Sequence, residues 1–403
     1  MKKTMTFQLR ACLKTPTRSA SVLGRSSVNT PRVLKLIKQF MSACISTLLC
    51  PKTGTLRPRT PPQSNRIFKQ ALTITIVAAA LTLLSCRIHA AETIVYNGKT
   101  GPGVGKHIVF LAGDEEYRSE ESLPQMAKIL ATRHGFKCTV LFSLDAKDGT
   151  INPNASKNLT GAEALDHADA IFMMLRFRQY PDAVMKHFVE AYLAGKPIVA
   201  LRTSTHAFQF NNPTNSAYAN YTHNSKLWPG GFGRQVLGET WVSHLGENHK
   251  EATRGVIDPS LKDDVLLRGV GNIFADTGCY KVNPQPDSTI LVRADILAGT
   301  TPDAPLHPTK NDPHQPLAWY RVHKNEAGRT NKVFCTTMGS STDLRDESLR
   351  RLLVNSVYWG LGMEVPARAD VRLVGDFQPS AYNFDGFRKG VKPDDLALPT
   401  TAK

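Results

Sequence analysis

An α/β protein with a parallel, doubly wound sheet is what the sequence predicts, on three observations. From His107 onward, short apolar runs alternate with amphipathic stretches at the size of βαβ units. Glycines stand where the intervening helices should stop, Gly135 after the first and Gly195 after the second. The runs also close on polar turns: Asp114-Glu115-Glu116, then Arg176 and Arg178, then Arg202-Thr203-Ser204-Thr205-His206. Such groups at the ends of buried strands fit a cleft, because open α/β sheets bind ligands at the carboxyl ends of their strands.

His107 to Gly113 (H-I-V-F-L-A-G) is the first strand. Ser122-Leu123-Pro124-Gln125 opens the first helix, with a Ser cap, a Gln three residues on and a Pro in the first turn. Phe136 to Leu144 is the second strand and Ala168 to Leu175 the third. Pro181 to Ala194 carries Met185, Val189, Tyr192 and Leu193 at helical spacing, and the apolar run Pro197 to Leu201 is the fourth strand. Asn211 to His249 is long, polar and aromatic, and loops of that length are usually functional or carry short elements of their own. Ile290 to Leu297 reads as a strand, Leu317 to His323 and Lys332 to Met338 as a hairpin, and Asp346 to Leu361 as an amphipathic helix. The tail from Asp376 is expected to wrap the surface or fray.

Charge removes one class of function. The chain of 403 residues carries a formal net charge of +16, but residues 1–90 hold 15 Lys and Arg with no Asp or Glu, leaving +1 for the rest. No electrostatic footprint for nucleic acid remains beyond the leader. Ala71 to Ser85 is apolar, follows Arg66 and Lys69, and precedes the small residues Ala90 and Ala91, the pattern of an export signal. The expected location is therefore periplasmic or extracellular, in a bacterium, with a lipid anchor at Cys86 as the lesser alternative and no other membrane partner. Residues 1–70 read as a basic leader or a mis-assigned start, 71–91 as signal and cleavage site, 106–363 as the domain and 364–403 as tail. Cys138, Cys279 and Cys335 lack metal or disulfide spacing, and Cys138 and Cys335, inside strand-like runs, are expected as small buried hydrophobes. Gly101 to Lys106 lacks the first glycine and the hydroxyl residue of a phosphate loop.

The order of H-I-V-F-L-A-G, A-L-R-T-S-T-H-A-F, G-G-F-G-R-Q-V-L-G-E-T-W-V-S-H, D-T-G-C-Y-K-V, P-L-A-W-Y-R-V and K-V-F-C-T-T-M-G resembles the ThuA-like (trehalose utilisation) domain family over about residues 106–363. The resemblance implies a flavodoxin-like, class I glutamine amidotransferase-like three-layer sandwich with a mainly parallel central sheet, and a link to carbohydrate metabolism. In the amidotransferase relatives a nucleophilic Cys follows the strand matching Ile198 to Leu201; here the turn holds no Cys, so glutaminase chemistry does not carry over. The family's G-x-F-x-x-H histidine is matched by His244, whereas the Gly-His that closes its last strand is Gly339-Ser340 here.

Site candidates follow from residue chemistry. His206 and His244 are acid/base candidates, with a structural histidine as the alternative for His206. Arg202 and Arg176 offer planar forks for hydroxyl or carboxylate groups, or else ion pairs to the acidic loop, and Glu115 would position a substrate. Ser204 lacks the flanking glycines of a nucleophile elbow and is placed with the binding residues. Trp228 and Trp241 have the character of sugar-stacking platforms or of loop anchors. His244, His249, Glu239 and Glu247 give only weak grounds for a divalent metal, so no cofactor is expected. The expected partner is a small carbohydrate or keto-sugar, handled by acid/base hydrolysis or isomerisation, or bound without catalysis.

Overall fold

The computed structural model describes residues 92–211 and 215–398, which lie in one compact unit. The leader, its export signal and Cys86 lie outside the described residues. No helix among the described residues is long and apolar enough to cross a membrane.

Twelve strands and three helices appear in this unit. The strands are β1 (Thr93–Asn97), β2 (His107–Gly113), β3 (Lys137–Phe142), β4 (Ala170–Leu175), β5 (Ile198–Leu201), β6 (Ser243–His244), β7 (Thr253–Ile257), β8 (Ile273–Ala275), β9 (Tyr280–Lys281), β10 (Thr289–Ile296), β11 (Gln315–Lys324) and β12 (Thr330–Thr336). The helices are α1 (Ser119–His134), α2 (Asp182–Leu193) and α3 (Glu347–Gly360). Ten strands form one sheet in the order β1-β3-β2-β4-β5-β12-β11-β10-β7-β8. Its centre, β3-β2-β4-β5-β12, is parallel and has the doubly wound order 2-1-3-4-5 when numbered within itself. The α/β class is as expected, but the sheet is mixed: β1 and the wing from β11 to β8 are antiparallel.

Two cores sandwich this sheet. Leu123, Met126 and Leu130 of α1 and Leu352 and Leu353 of α3 pack with Phe110 and Phe172 on one face. Met185, Phe188 and Tyr192 of α2 pack with Val109, Met173 and Ala200 on the other. All seven residues of β2 are buried, which is why its sequence is continuously apolar instead of alternating. The three described cysteines are free and buried, as the apolar runs around Cys138 and Cys335 predict for those two.

Local differences from expectation have local causes. Helix α1 starts at Ser119, not Ser122, and Arg118 precedes it in the left-handed region at φ 62°. No side chain caps it; the Ser119 hydroxyl instead accepts from the Asp114 amide at 2.9 Å, tying the acidic loop to the first turn. Strands β1, β7 and β8 escape a sequence reading because they are short and lie toward the sheet's edges, where half-burial blurs the apolar pattern. The sheet thus reaches upstream of residue 106. The segment from 364 to 398 wraps back over α1, where His134 bonds the Asp370 carbonyl at 2.8 Å.

Candidate functional site

The carboxyl ends of β2, β4, β5 and β12 share one edge of the sheet, and the turns that leave them are knitted together. Phe177 donates its amide to the His206 carbonyl at 3.0 Å, and Arg178 donates to that of Ala207 at 2.7 Å. The Thr203 hydroxyl bonds the Asp114 carboxylate, whose other oxygen accepts from the amides of Glu116 at 2.8 Å and Tyr117 at 2.6 Å. Three non-glycine residues in the turns at this edge hold positive φ, Arg118 at 62°, Phe177 at 48° and Arg202 at 39°. Backbone strain of this kind costs roughly 1–3 kcal/mol and collects at sites the fold over-determines. The helical turn Arg202–His206 is buried throughout.

His206 is the centre of this edge. Its ring lies 4.7 Å from that of Phe177, 5.3 Å from Trp241 and 6.1 Å from Tyr280, measured between centroids. Nδ1 meets the Thr205 hydroxyl at 3.2 Å, and that hydroxyl donates to the Arg202 carbonyl at 3.5 Å. Nδ1 is thus engaged with Thr205, and Nε2 is the ring nitrogen left to meet a ligand. Burial, then Arg176 and its histidine neighbours, push this imidazole well below 6.5, so it is neutral at physiological pH. His223 sits behind Phe177, ring to ring at 5.0 Å, and His244 lies against Tyr280 at 4.8 Å. Desolvation, then Arg202 and Arg176, pull His244 down to about 4. His244 is also the exposed member of the group, so solvent offsets part of that desolvation; with half-buried Trp241 it marks the open side.

Several buried polar atoms around this cluster have no partner: Trp241 Nε1, His223 Nδ1, Arg202 Nε and Thr337 Oγ1. An unpartnered buried polar atom costs roughly 1–3 kcal/mol, so a native fold that keeps several side by side invites a ligand or water to meet them.

The expected residues divide accordingly. His206, His244 and Trp241 come together. Arg202 is fully enclosed, its guanidinium carbon 3.9 Å from the centre of the Tyr117 ring and 4.9 Å from that of Tyr280. Its terminal nitrogens bond the Thr337 carbonyl at 2.6 Å, Thr277 Oγ1 and the Gly278 carbonyl at 3.1 Å, and Asn248 Oδ1 at 3.3 Å, which leaves only Nε unspent. Arg176 and Arg178 pair with Glu115, and Arg176 also reaches Glu116 at 3.5 Å, so the acidic loop and the arginines form the ion-pair network weighed from sequence. Desolvation raises the pKa of Glu115 against the pull of Arg178 and Arg176. Ser204 is buried, donating to the Met173 carbonyl at 3.1 Å and accepting from the Leu175 amide at 3.3 Å, so its hydroxyl braces β4. Trp228 stands apart, in a cavity of about 310 Å³ with Tyr221, Leu227 and Glu326.

Sequence reasoning missed Phe177, His223 and Tyr280 as members of the cluster. The D-T-G-C-Y stretch was visible as a motif, but nothing local says that Tyr280 pairs with His244 across the β6–β9 ribbon. A groove of about 740 Å³ lies on Arg234, Glu239, Lys281 and Asn283. There Arg234 is spent on Glu239 and the Asn283 carbonyl, so the groove lacks the unpartnered groups of the His206 cluster. Among the described residues, no group of three or more His, Cys, Asp or Glu side chains is placed to hold a metal ion.

Fold and site together define an α/β protein with a neutral imidazole, aromatic rings and unspent donors at the carboxyl edge of a doubly wound sheet. No family model matches the chain, and no curated protein matches it. Similar solved structures include one described as a ThuA-like protein from Bacteroides uniformis, at 15% identity and TM-score 0.37, covering 65% of this chain and 93% of that one. Another, described as ThuA-like and from Parabacteroides merdae, has 12% identity and TM-score 0.40, covering 69% of this chain and 97% of that one.

Proposed function

We propose that this protein binds a sugar or keto-sugar at the His206 cluster and carries out proton-transfer chemistry on it, hydrolysis or isomerisation, as an exported ThuA-like protein of carbohydrate catabolism with a class I glutamine amidotransferase-like fold. One observation carries the reading: the buried Trp241 Nε1–H has no partner, and its ring lies 5.3 Å from that of a neutral His206 whose Nδ1 is engaged with Thr205. One acceptor beside one donor is the complement of a hydroxyl group, and aromatic faces around them suit the apolar face of a sugar ring. A neutral imidazole accepts a proton from an activated carbon or hydroxyl, while the positive field of Arg176 and Arg202 favours the oxyanion left behind. The acidic loop, through Glu115, holds Arg176 in place for that role.

A second reading is favoured by a specific feature: no carboxylate bonds His206 or His244 among the described residues, so neither imidazole has the partner that usually orients a catalytic base. On that reading the cluster binds its sugar without turnover. Screening the purified exported domain against glycosides and keto-glycosides, with and without chelator, separates the two. Turnover lost in His206→Ala supports the enzyme; binding without turnover supports the module; neither binding nor turnover with any sugar overturns both.

A further inference from the structure

A segment that carries none of the cluster's motifs reaches it through Arg176. Beyond residue 375 the chain crosses the carboxyl edge of the sheet and is fastened at each step. The Ser380 amide donates to Glu121 at 2.8 Å, the Asn383 amide to the Glu116 carbonyl at 2.9 Å, and Asn154 to the Asp385 carboxylate at 2.7 Å. Tyr382, 3% exposed, is stacked between Tyr117 at 5.3 Å and His249 at 4.3 Å, and its hydroxyl reaches the Asp276 carbonyl at 3.3 Å. One large apolar residue of the strap is left exposed: Phe384, 50% exposed, lies 4.9 Å from the guanidinium carbon of Arg176. The same guanidinium carbon lies 4.8 Å from the centre of the Phe177 ring, and Phe177 lies 4.7 Å from His206. A continuous layer of rings and guanidinium thus runs from the buried imidazole to an open aromatic face.

We infer that Phe384 is a specificity-determining residue of the site, a platform for a second ring, sugar or aryl, attached to the unit held at His206. This rests on the sugar-binding reading above. Tyr382 and the bonds around it hold the strap; an exposed phenylalanine backed by a guanidinium contributes nothing to that anchoring, whereas a flat apolar face backed by a cation suits a ring that stacks on one side and turns hydroxyls to Arg176 and Glu116 on the other. Ligands with one ring would leave the platform empty, and ligands with two would use it.

The test is a calorimetric titration of the full chain with methyl glucoside, one ring, and phenyl glucoside, two rings, and with their keto-sugar counterparts. The wild-type protein is expected to favour the phenyl over the methyl compound by roughly five-fold, the size of one ring stack. Phe384→Ala should erase that preference while leaving the affinity for the methyl compound unchanged, and Phe384→Tyr should retain it. A preference that survives in Phe384→Ala, with binding still abolished in His206→Ala, overturns this inference and leaves the site reading standing. Absence of binding to every one of these compounds by the wild-type protein overturns both.

Discussion

His206 is neutral by construction: it is enclosed by Phe177, Trp241 and Tyr280, and the Arg176 charge adds to what burial already does to its imidazole. A histidine acting as a base with a lowered pKa keeps its lone pair as the pH falls. Ligand affinity or turnover is therefore expected to stay flat between about pH 7.5 and 5.5, where an ordinary histidine of pKa about 6.5 would already be losing it. A pH profile with a midpoint near 6.5 that disappears in His206→Ala would contradict this. Trp241 offers a narrower test. Trp241→Phe keeps a ring beside His206 and removes the unpartnered Nε1–H, so affinity should fall by about 1 kcal/mol, roughly five-fold, with stability unchanged or slightly raised. An unchanged affinity would mean that the indole nitrogen meets no ligand.

The elements that carry these residues are held by close contacts with narrow tolerances. Gly233 begins the turn Gly233–Leu237 that presses on the turn after β5, and a Cβ there would stand 1.9 Å from the Thr205 carbonyl oxygen. Gly233→Ala should cost on the order of 1–3 kcal/mol of stability, as overpacking does, and displace His206, read out by chemical denaturation and ligand titration together. On the far side of Arg202, the D-T-G turn after β8 is tied to the turn after β12. Asp343 accepts from Thr277 Oγ1 and the Gly339 amide at 2.9 Å and from the Ser340 amide at 3.1 Å. Asp276 accepts from Thr342 at 2.7 Å, and burial and then the Asp343 charge push its carboxyl up to about 7. A carboxyl raised on folding stabilises the native state fully below its unfolded value near 3.8 and loses that contribution as pH rises through about 7. Asp276→Asn should accordingly flatten the decline of stability between about pH 4 and 7 relative to wild type. Parallel curves for the two proteins in that range would count against a raised Asp276 carboxyl.

At the scale of the molecule, the parallel centre of the sheet is readable because its strands are short, continuously apolar and bounded by Gly135 and Gly195. The antiparallel wing is less so: β7 and β8 are a few half-buried residues each, and their pairing with β10 and with one another is decided by long-range register, not by local pattern. The site shows the same division. His206 and the charged turns announce themselves at strand ends, and Arg202 does too, but its side chain turns inward to Tyr117 and Thr277 because partners from distant segments hold its terminal nitrogens. His223, Tyr280 and the strap residues Tyr382 and Phe384 reach the cluster from loops and tail, where no spacing rule links them to β5. The two readings of this site, enzyme or binder, share one premise, that a hydroxyl-bearing ring meets His206. It is tested most directly by calorimetric titration of wild-type and His206→Ala protein with glycosides and keto-glycosides, the fold being checked by circular dichroism. The account predicts binding to the wild-type protein that falls ten-fold or more, roughly 1.4 kcal/mol or above, in a folded His206→Ala variant. Equal affinities in the two proteins would contradict it.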